Sequence, residues 1–197
     1  MSRIRIVGGD WRGRYIEAPD GRDVTRPTTD RTRESMASML MSACGLELAG
    51  QRVLDAFAGS GAIGLELLSR GAQSCCFVER DRPSAARVRR NVQSLAGDRA
   101  DSVARVVCGD ALKLARRGGI WGSPFSIVVL DPPYALPAST VSDMVVDLGS
   151  GGLLVPGCLV LYERSTDADE LALPGARLVR SKSHGITTVT LFQTQEA

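Results

Sequence analysis

Four apolar segments of the chain each end at or just before an acidic residue, and this pattern constrains the fold more than any other feature. The acids are Asp55, Glu79, Asp110 and Asp131, so successive ones are 24, 31 and 21 residues apart. That spacing is about the length of a strand, a crossover helix and the next strand. Apolar strands alternating with amphipathic helices are typical of a parallel sheet covered on both faces. The sequence therefore predicts an α/β fold with these acids at one edge of the sheet.

Length and composition predict one main domain. A chain of 197 residues, 44% of them hydrophobic, is long enough to bury one sizeable core. No apolar run reaches the roughly 20 residues that span a bilayer, and the first residues are polar. We therefore expect a cytoplasmic protein, monomeric and without a membrane partner. The net charge of +2 does not by itself indicate a nucleic-acid partner.

Residues 1–28 are predicted to form a small basic β-hairpin ahead of the main domain, residues 29–197. Its strands are predicted at 4–7 and 14–17, around a glycine-rich turn. Arginine is crowded in this segment, and a planar guanidinium suits phosphate groups. The candidate nucleic-acid contacts are Arg3, Arg5, Trp11, Arg12, Arg14 and Arg26. For Trp11, packing within the hairpin is an equally good interpretation.

The remaining segments complete the sheet. Helices are predicted at 30–43, 61–70, 82–95, 111–117 and about 138–148, and later strands at 158–163, 178–182 and 187–193. The last two strands predict an antiparallel hairpin that closes the sheet. The five cysteines form no CxxC pair and are expected to be reduced and buried. No histidine–carboxylate pattern for a metal is present, so we expect no metal.

A glycine-rich turn follows the first strand of the main domain. In DAFAGSGAIG, the residues Gly59, Gly61 and Gly64 satisfy GxGxxG, which indicates a nucleotide-like cofactor but not which one. Asp55 ends the strand just before this turn, where its charge suits a cationic ammonium and sulfonium better than a pyrophosphate. This favours S-adenosylmethionine, although a nicotinamide oxidoreductase stays an alternative.

Two further strand ends supply candidate cofactor contacts. Glu79 can accept hydrogen bonds from both ribose hydroxyls, a device that dehydrogenases share. Asp110 can accept from the adenine amine, or it can cap the helix that begins at Ala111, and both roles are compatible. The predicted cofactor contacts are Asp55, Phe57, Gly59, Gly61, Glu79, Arg80, Asp110 and Ala111.

The motif Asp131-Pro132-Pro133-Tyr134 ends the fourth strand and predicts the chemistry. The exocyclic amine of a purine is a poor nucleophile because its lone pair is delocalised into the ring. Asp131 and the Pro132 carbonyl can accept its two N–H bonds and aim the nitrogen at a sulfonium methyl. The prolines fix the backbone, and Tyr134 can stack on the base. As an isolated tetrapeptide the motif is also an ordinary turn.

These motifs together resemble the bacterial family that methylates N2 of guanine 966 in 16S ribosomal RNA. The resemblance runs from RIVGG near Arg3 through TRPTTDRTRE, LDAFAGSGAIGLELLSRGA, FVERD and GDA to DPPY. TRPTTDRTRE is its most family-specific part, because other amino-methyltransferases share the rest. The resemblance implies a Rossmann-like class I methyltransferase with a seven-stranded sheet. It also implies that S-adenosyl-L-methionine is the cofactor and 16S ribosomal RNA the partner, within the small subunit or an assembly intermediate.

Two further alternatives to that function remain at this stage, besides the nicotinamide oxidoreductase. DPPY geometry serves any planar exocyclic amine, so an N6-adenine methyltransferase acting on DNA or RNA fits the same residues. A basic hairpin also fits an RNA-binding module without catalysis. Stabilisation by S-adenosylhomocysteine but not by nicotinamide nucleotides would favour methyl transfer.

Overall fold

The computed structural model describes residues 2–19 and 30–195 of the chain. A two-stranded antiparallel hairpin comes first, formed by β1 (Arg3–Arg5) and β2 (Tyr15–Glu17). A seven-stranded sheet follows, and its strands are β3 (Arg52–Asp55), β4 (Ser74–Glu79), β5 (Ala104–Cys108), β6 (Phe125–Leu130), β7 (Leu154–Ser165), β8 (Ala176–His184) and β9 (Thr187–Thr194). The predicted boundary between residues 28 and 29, and Arg26 with it, lies outside the described residues.

The strand order across the large sheet is β5-β4-β3-β6-β7-β9-β8. The five strands from β5 to β7 run parallel, whereas β9 is antiparallel to β7 and to β8. This arrangement confirms the predicted α/β fold, a mostly parallel Rossmann-like sheet closed by a terminal antiparallel hairpin. The chain adds β4 and β5 on one side of β3 and then adds β6 and β7 on the other side. This reversal of strand order, between β3 and β6, is the switch point of the sheet.

Helices cover both faces of the sheet. They are α1 (Asp30–Ala43), α2 (Ala62–Ser69), α3 (Arg82–Ala96), α4 (Ala100–Val103), α5 (Ala111–Arg117) and α6 (Ala138–Ser150), with a 3₁₀ turn at Gly97–Arg99. The start of α3 is encoded locally, because the Asp81 carboxylate accepts from the Ser84 N–H at 2.9 Å and Pro83 occupies the first turn. None of the helices in the described parts of the chain has both the length and the apolarity needed to cross a membrane.

Alternate residues of the central strands supply two separate cores. In β3, Val53 packs on the face covered by α1, α2 and α3, whereas Leu54 packs on the face covered by α5 and α6. Cys75 and Cys76 divide between the two faces in the same way. Because side chains of a strand alternate in direction, burial on both sides makes the strand continuously apolar. This is why the sequence pattern identified these strands.

The cysteine and hairpin predictions need correction. The five cysteines are free, and Cys75, Cys76 and Cys158 are buried as expected, but Cys108 is exposed at the end of β5. In the hairpin, β1 was predicted to reach Val7 but ends at Arg5. The Val7 N–H donates instead to the Glu66 carboxylate of α2 at 2.9 Å, which turns the chain toward the main domain.

Close contact between α2 and β4 depends on Gly64. A Cβ atom at this position would lie 2.3 Å from a ring carbon of Phe77 and 2.7 Å from Cys75 Sγ. Phe77 and Cys75 are fully buried in the core, so neither can move aside without cost. The third glycine of the motif therefore serves helix–strand packing, as it does in other nucleotide-binding turns.

We expect Gly64→Ala to destabilise the protein by about 1–3 kcal/mol, because the added methyl group overpacks a filled core. Gly149→Ala is the matched control, since Gly149 also lies in a helix but a Cβ there meets nothing within 4 Å. That control should be neutral or stabilising by up to about 1 kcal/mol. Urea denaturation measures both variants, and equal stabilities would contradict the packing argument.

Candidate functional site

The carboxyl ends of β3 and β6 meet at the switch point of the sheet. These strands are neighbours in parallel register, with Asp55 opposite Val129, so Asp131 follows two residues beyond that pair. The Ala56 N–H donates to the Val129 carbonyl at 3.1 Å and keeps the two chains together as they leave the sheet. In open α/β sheets, ligands bind at this place. The structure thus brings the glycine turn and the DPPY motif side by side.

The glycine turn adopts backbone angles that favour glycine. Gly59 and Gly61 have φ values of +55° and +79°, in the left-handed region that other residues rarely adopt. The Gly61 N–H donates to the Ala58 carbonyl at 2.6 Å, and α2 begins directly afterwards. Phe57 is half-buried at the entrance to the turn. The turn therefore joins β3 to α2 tightly, with its backbone at the carboxyl edge.

Asp55 is the buried acid of the site. Its side chain is 3% exposed, and its Oδ2 accepts from the Gly64 N–H at 3.1 Å. Burial raises the pKa of Asp55 to about 7, the Gly64 hydrogen bond opposes that rise, and the charges of Asp131 and Glu79 add to it. Since the ordinary pKa is 3.8, the folded protein holds this proton more tightly than the unfolded chain. The resulting stability is present below about pH 4 and is lost as the pH rises through about 7.

Glu79 holds the glycine turn from the neighbouring strand. Its Oε2 accepts from the Gly59 N–H, and its Oε1 accepts from the Asp81 N–H, both at 2.8 Å. The carboxylate therefore lies between the turn and the start of α3. The next residue, Arg80, is exposed.

Asp110 caps α5, the structural role that the sequence left open. Its Oδ1 accepts from the N–H groups of Leu112 at 2.9 Å and Lys113 at 3.3 Å. The side chain stays partly exposed, as does Ala111 beside it. The second oxygen of the carboxylate can thus still meet a ligand at the edge of the sheet.

The DPPY motif forms a turn at the end of β6. Pro132 is buried, Pro133 is half-buried, and Tyr134 is 50% exposed. The Leu136 N–H donates to the Pro133 carbonyl at 2.8 Å, so the turn is closed through Pro133 and not through Pro132. The tyrosine side chain thus lies half exposed beside the switch point.

Asn91 is a site residue that the sequence analysis missed. It is 2% exposed on α3, and its Nδ2 donates to the carbonyls of Glu17 and Ser60, each at 3.0 Å. Its Oδ1 accepts from the Glu17 N–H at 2.8 Å. One side chain thus connects β2 to the glycine turn. The available signal was a polar residue on the apolar face of α3, between Val88 and Val92.

The turn of the N-terminal hairpin docks on the end of α2, and this placement makes one prediction wrong. The backbone N–H of Trp11 donates to Ser69 Oγ at 2.9 Å, and the Ser69 hydroxyl donates to the Gly8 carbonyl at 2.6 Å. Trp11 is only 7% exposed and belongs to the main core. Its side chain is not presented to a nucleic-acid base, so packing is its role.

The arginines of the hairpin divide into two groups. Arg14 donates to the Ser94 and Leu95 carbonyls at the end of α3, where its charge also suits the helix terminus. Arg14 is thus engaged by the fold although it is exposed, and its role as a phosphate contact stays a prediction. Arg12 is exposed but lies at the same end of the hairpin, away from the glycine turn. Arg3 and Arg5 are exposed on β1, where Arg3 lies opposite Glu17 in the strand register and Arg5 lies opposite Tyr15.

The order of the strands and the paired motifs at the switch point define a Rossmann-like methyltransferase of class I. Comparison with known proteins then identifies the group. A model of the family described as Conserved hypothetical protein 95 matches residues 4–193. The chain belongs to this family.

Named relatives and solved structures agree with that assignment. The chain is 35% identical over 194 residues to ribosomal RNA small subunit methyltransferase D of Escherichia coli (strain K12), with 97% of this chain and 90% of that protein covered. It is 32% identical over 194 residues to a putative rRNA methyltransferase of Bacillus subtilis (strain 168), with 96% and 98% covered. A putative methyltransferase structure from Escherichia coli aligns over 100% of both chains, with 31% identity and a TM-score of 0.83.

We expect Asn91→Ala to destabilise the protein by about 1–3 kcal/mol, because it leaves buried backbone groups of β2 and the glycine turn without partners. Gln93→Ala is the matched control on the same helix, since Gln93 makes one exposed hydrogen bond to Gly97. The control should change stability by less than about 0.5 kcal/mol. Chemical denaturation measures both, and a neutral Asn91 variant would contradict the proposed link.

Proposed function

We propose that this protein transfers a methyl group from S-adenosyl-L-methionine to N2 of a guanine in 16S ribosomal RNA. The observation that carries the proposal is the position of the DPPY turn, on the strand next to the glycine turn at the switch point. The names of the relatives support ribosomal RNA of the small subunit as substrate. The resemblance of the sequence motifs supports guanine N2.

The residues around the glycine turn suit a cationic cofactor. S-adenosyl-L-methionine supplies a methyl group on a positively charged sulfur. Burial raises the pKa of Asp55, the charges of Asp131 and Glu79 add to that rise, and a cation nearby would oppose both effects by favouring the carboxylate. The charge of that carboxylate would oppose a dinucleotide pyrophosphate. The residues that we assign to the cofactor are Asp55, Phe57, Gly59, Gly61, Glu79, Arg80, Asp110 and Ala111.

The residues of the DPPY turn would hold the target base. Asp131 and the Pro132 carbonyl accept the two N–H bonds of the amine, which orients its nitrogen toward the methyl group. Pro133 keeps that carbonyl in place, because its own carbonyl closes the turn with Leu136. Tyr134 stacks on the base, a contact worth about 1–3 kcal/mol. S-adenosyl-L-methionine would supply the methyl group and leave as S-adenosylhomocysteine, and the proton that the amine loses would pass along the N–H bond that Asp131 accepts.

The target base has to leave its stack to reach this turn. Unstacking is least costly in a loop or another unpaired segment. Of the predicted phosphate contacts, Arg3 has the better position, because it lies opposite Glu17, which Asn91 links to the glycine turn. Arg5 lies beside α1, where it pairs with Asp30. Arg12 can reach only RNA that extends past α2. Arg26 belongs to this proposal on sequence grounds alone.

The proposed function also has a cellular setting and a role for the N-terminal hairpin. We assign the activity to the cytoplasm, to a monomer, and to the small ribosomal subunit or an assembly intermediate of it. Residues 1–28 would act as a basic extension of the methyltransferase domain at 29–197. The hydrogen bonds of β2 to Asn91 would hold that extension beside the glycine turn.

We expect Asp131→Ala to lower methyl transfer by about 100-fold or more, because the target amine loses a preorganised acceptor. Binding of S-adenosylhomocysteine, measured by thermal shift, should persist. Activity is measured with labelled S-adenosyl-L-methionine on small ribosomal subunits purified from a strain that lacks this protein. Asp143→Ala is the control, since Asp143 is an exposed acid on α6, and it should keep wild-type turnover.

Mass mapping of the labelled nucleotide separates the alternatives. A methyl group on guanine N2 supports the proposal. A methyl group on adenine N6 would show that the target base is adenine and would leave the assignment of an amino-methyltransferase unchanged. Undiminished turnover of the Asp131 variant would refute the role of the DPPY turn. Stabilisation by nicotinamide nucleotides instead of S-adenosylhomocysteine would refute the cofactor.

The affinity for S-adenosyl-L-methionine should rise as the pH increases from 6 to 7.5. Below its pKa of about 7, Asp55 is mainly protonated, and binding a cation beside it must first release that proton. The dependence can reach about tenfold per pH unit at the acid end. Isothermal titration calorimetry in buffers of different ionisation enthalpy measures both the affinity and the released proton.

Asp55→Asn is the variant that tests this origin. The amide oxygen can still accept from the Gly64 N–H, so the turn keeps its support. We expect weaker binding with no rise in affinity between pH 6 and 7.5. An equal pH dependence in the variant would show that another group is responsible.

A further inference from the structure

The β8–β9 hairpin lies beside the proposed target site and extends beyond it. Leu130, the last residue of β6, pairs with Tyr162, whereas the pairing of β7 with β9 continues to Ser165 and Thr187. The three residues of β7 after Tyr162 rise about 3.3 Å each, so the paired strands extend about 10 Å past the end of β6. Two strands, β7 and β9, separate β6 from β8, which places β8 about 14 Å to the side.

Basic side chains from three elements meet near this hairpin. His184, at the end of β8, bonds through Nε2 to Ser35 Oγ of α1 at 2.9 Å. Burial lowers the pKa of His184, and the nearby positive charges of Lys182 and Arg31 lower it further. Arg31 is in the first turn of α1, directly after Asp30, which pairs with Arg5 of β1 at 3.5 Å. We call the surface formed by Arg5, Arg31 and Lys182 the basic ridge.

The cations of the basic ridge face solvent. Arg5, Arg31 and Lys182 are all exposed, and within residues 2–19 and 30–195 neither Arg31 nor Lys182 forms an ion pair. The acids closest in sequence are Asp30, which is paired with Arg5 and Arg33, and Glu34, one turn further along α1. Among the described residues, these two cations thus lie at the rim of the sheet without an acid paired to them.

The acids of the neighbouring loop lie on the opposite face of the sheet. Residues 166–170 include Asp167, Asp169 and Glu170, and the loop then continues to Leu171 and Leu173, which pack in the core beneath α6. The Ser142 hydroxyl of α6 donates to the Ala172 carbonyl, which fixes this side. His184 and Arg31 lie on the α1 face. The sheet therefore separates the positive rim from the negative one.

We propose that the basic ridge binds phosphates of the RNA strand that flanks the target nucleotide. This inference rests on the proposed function. A base extruded into the DPPY turn leaves its neighbours displaced along the carboxyl edge of the sheet, and the ridge is within a few nucleotides of that point. Phosphate contacts of this kind fix register and orientation without reading sequence. They add Arg31 and Lys182, from α1 and β8, to the contacts that the N-terminal hairpin supplies.

The test compares the double variant Arg31→Ala/Lys182→Ala with Arg177→Ala. Arg177 is also a basic residue on β8, but it lies near the start of the strand, about 16 Å from Lys182. The probes are small ribosomal subunits from a strain lacking this protein and the protein-free RNA extracted from them. Binding is measured at several salt concentrations, and binding of S-adenosylhomocysteine is measured in parallel.

The double variant should bind both probes more weakly and keep its affinity for S-adenosylhomocysteine. The slope of log Kd against log salt should fall by about 1.4, which is about 0.7 for each single-strand phosphate contact. Arg177→Ala should keep the wild-type slope. An unchanged slope in the double variant, with wild-type methylation intact, would overturn the ridge and leave the proposed function standing.

Two other outcomes would also overturn the proposal that the basic ridge binds RNA. A loss confined to assembled subunits, with none on protein-free RNA, would show that the ridge meets a ribosomal protein, and this overturns the proposal. A wild-type protein that methylates neither probe would overturn the proposed function, and the ridge proposal with it.

Discussion

The parallel pairing of β3 with β6 is the constraint on which the site depends. It places the ends of two chain segments, about 75 residues apart, side by side at the carboxyl edge of the sheet. Asp55 and Asp131 come close enough for the charge of Asp131 to raise the pKa of Asp55. Such an arrangement of acids disfavours the ionised form of Asp55 in the ligand-free protein. A cationic ligand at this place would favour the ionised form of Asp55 and lower its pKa.

Buried polar contacts attach the N-terminal hairpin to the rest of the protein. The Glu66 carboxylate, fully buried in α2, accepts from the Val7 N–H and pairs with Arg70 at 2.8 Å. Ser69 and Asn91 add hydrogen bonds to the turn and to β2. A buried charge or amide without these partners would cost stability, so each contact specifies one position of the hairpin. The hairpin is thus a fixed part of the surface that faces the proposed RNA.

The two ends of that hairpin have different uses. Gly8 and Gly9 allow close approach to α2, since a Cβ at Gly9 would lie 1.9 Å from the Ser69 carbonyl oxygen. Arg14 and Trp11 serve the same attachment. At the strand end, Arg3 lies opposite Glu17, which Asn91 links to the glycine turn, and Arg5 of β1 pairs with Asp30 of α1. Arg14 therefore stabilises the fold, whereas the proposed function assigns Arg3 and Arg5 to RNA, although all the arginines look alike in sequence.

The sequence alone determined the sheet, most helices and the motifs at the strand ends. The bounds of α1 and α5 agree with their predictions, and β6 ends directly before Asp131 as predicted. Apolar periodicity, N-caps and glycine turns are local signals, so these elements could be predicted. The roles of Trp11, Arg14 and Asn91 could not, because each contacts residues 58 to 81 positions away in the chain. Only the tertiary fold decides which residue meets such a distant partner.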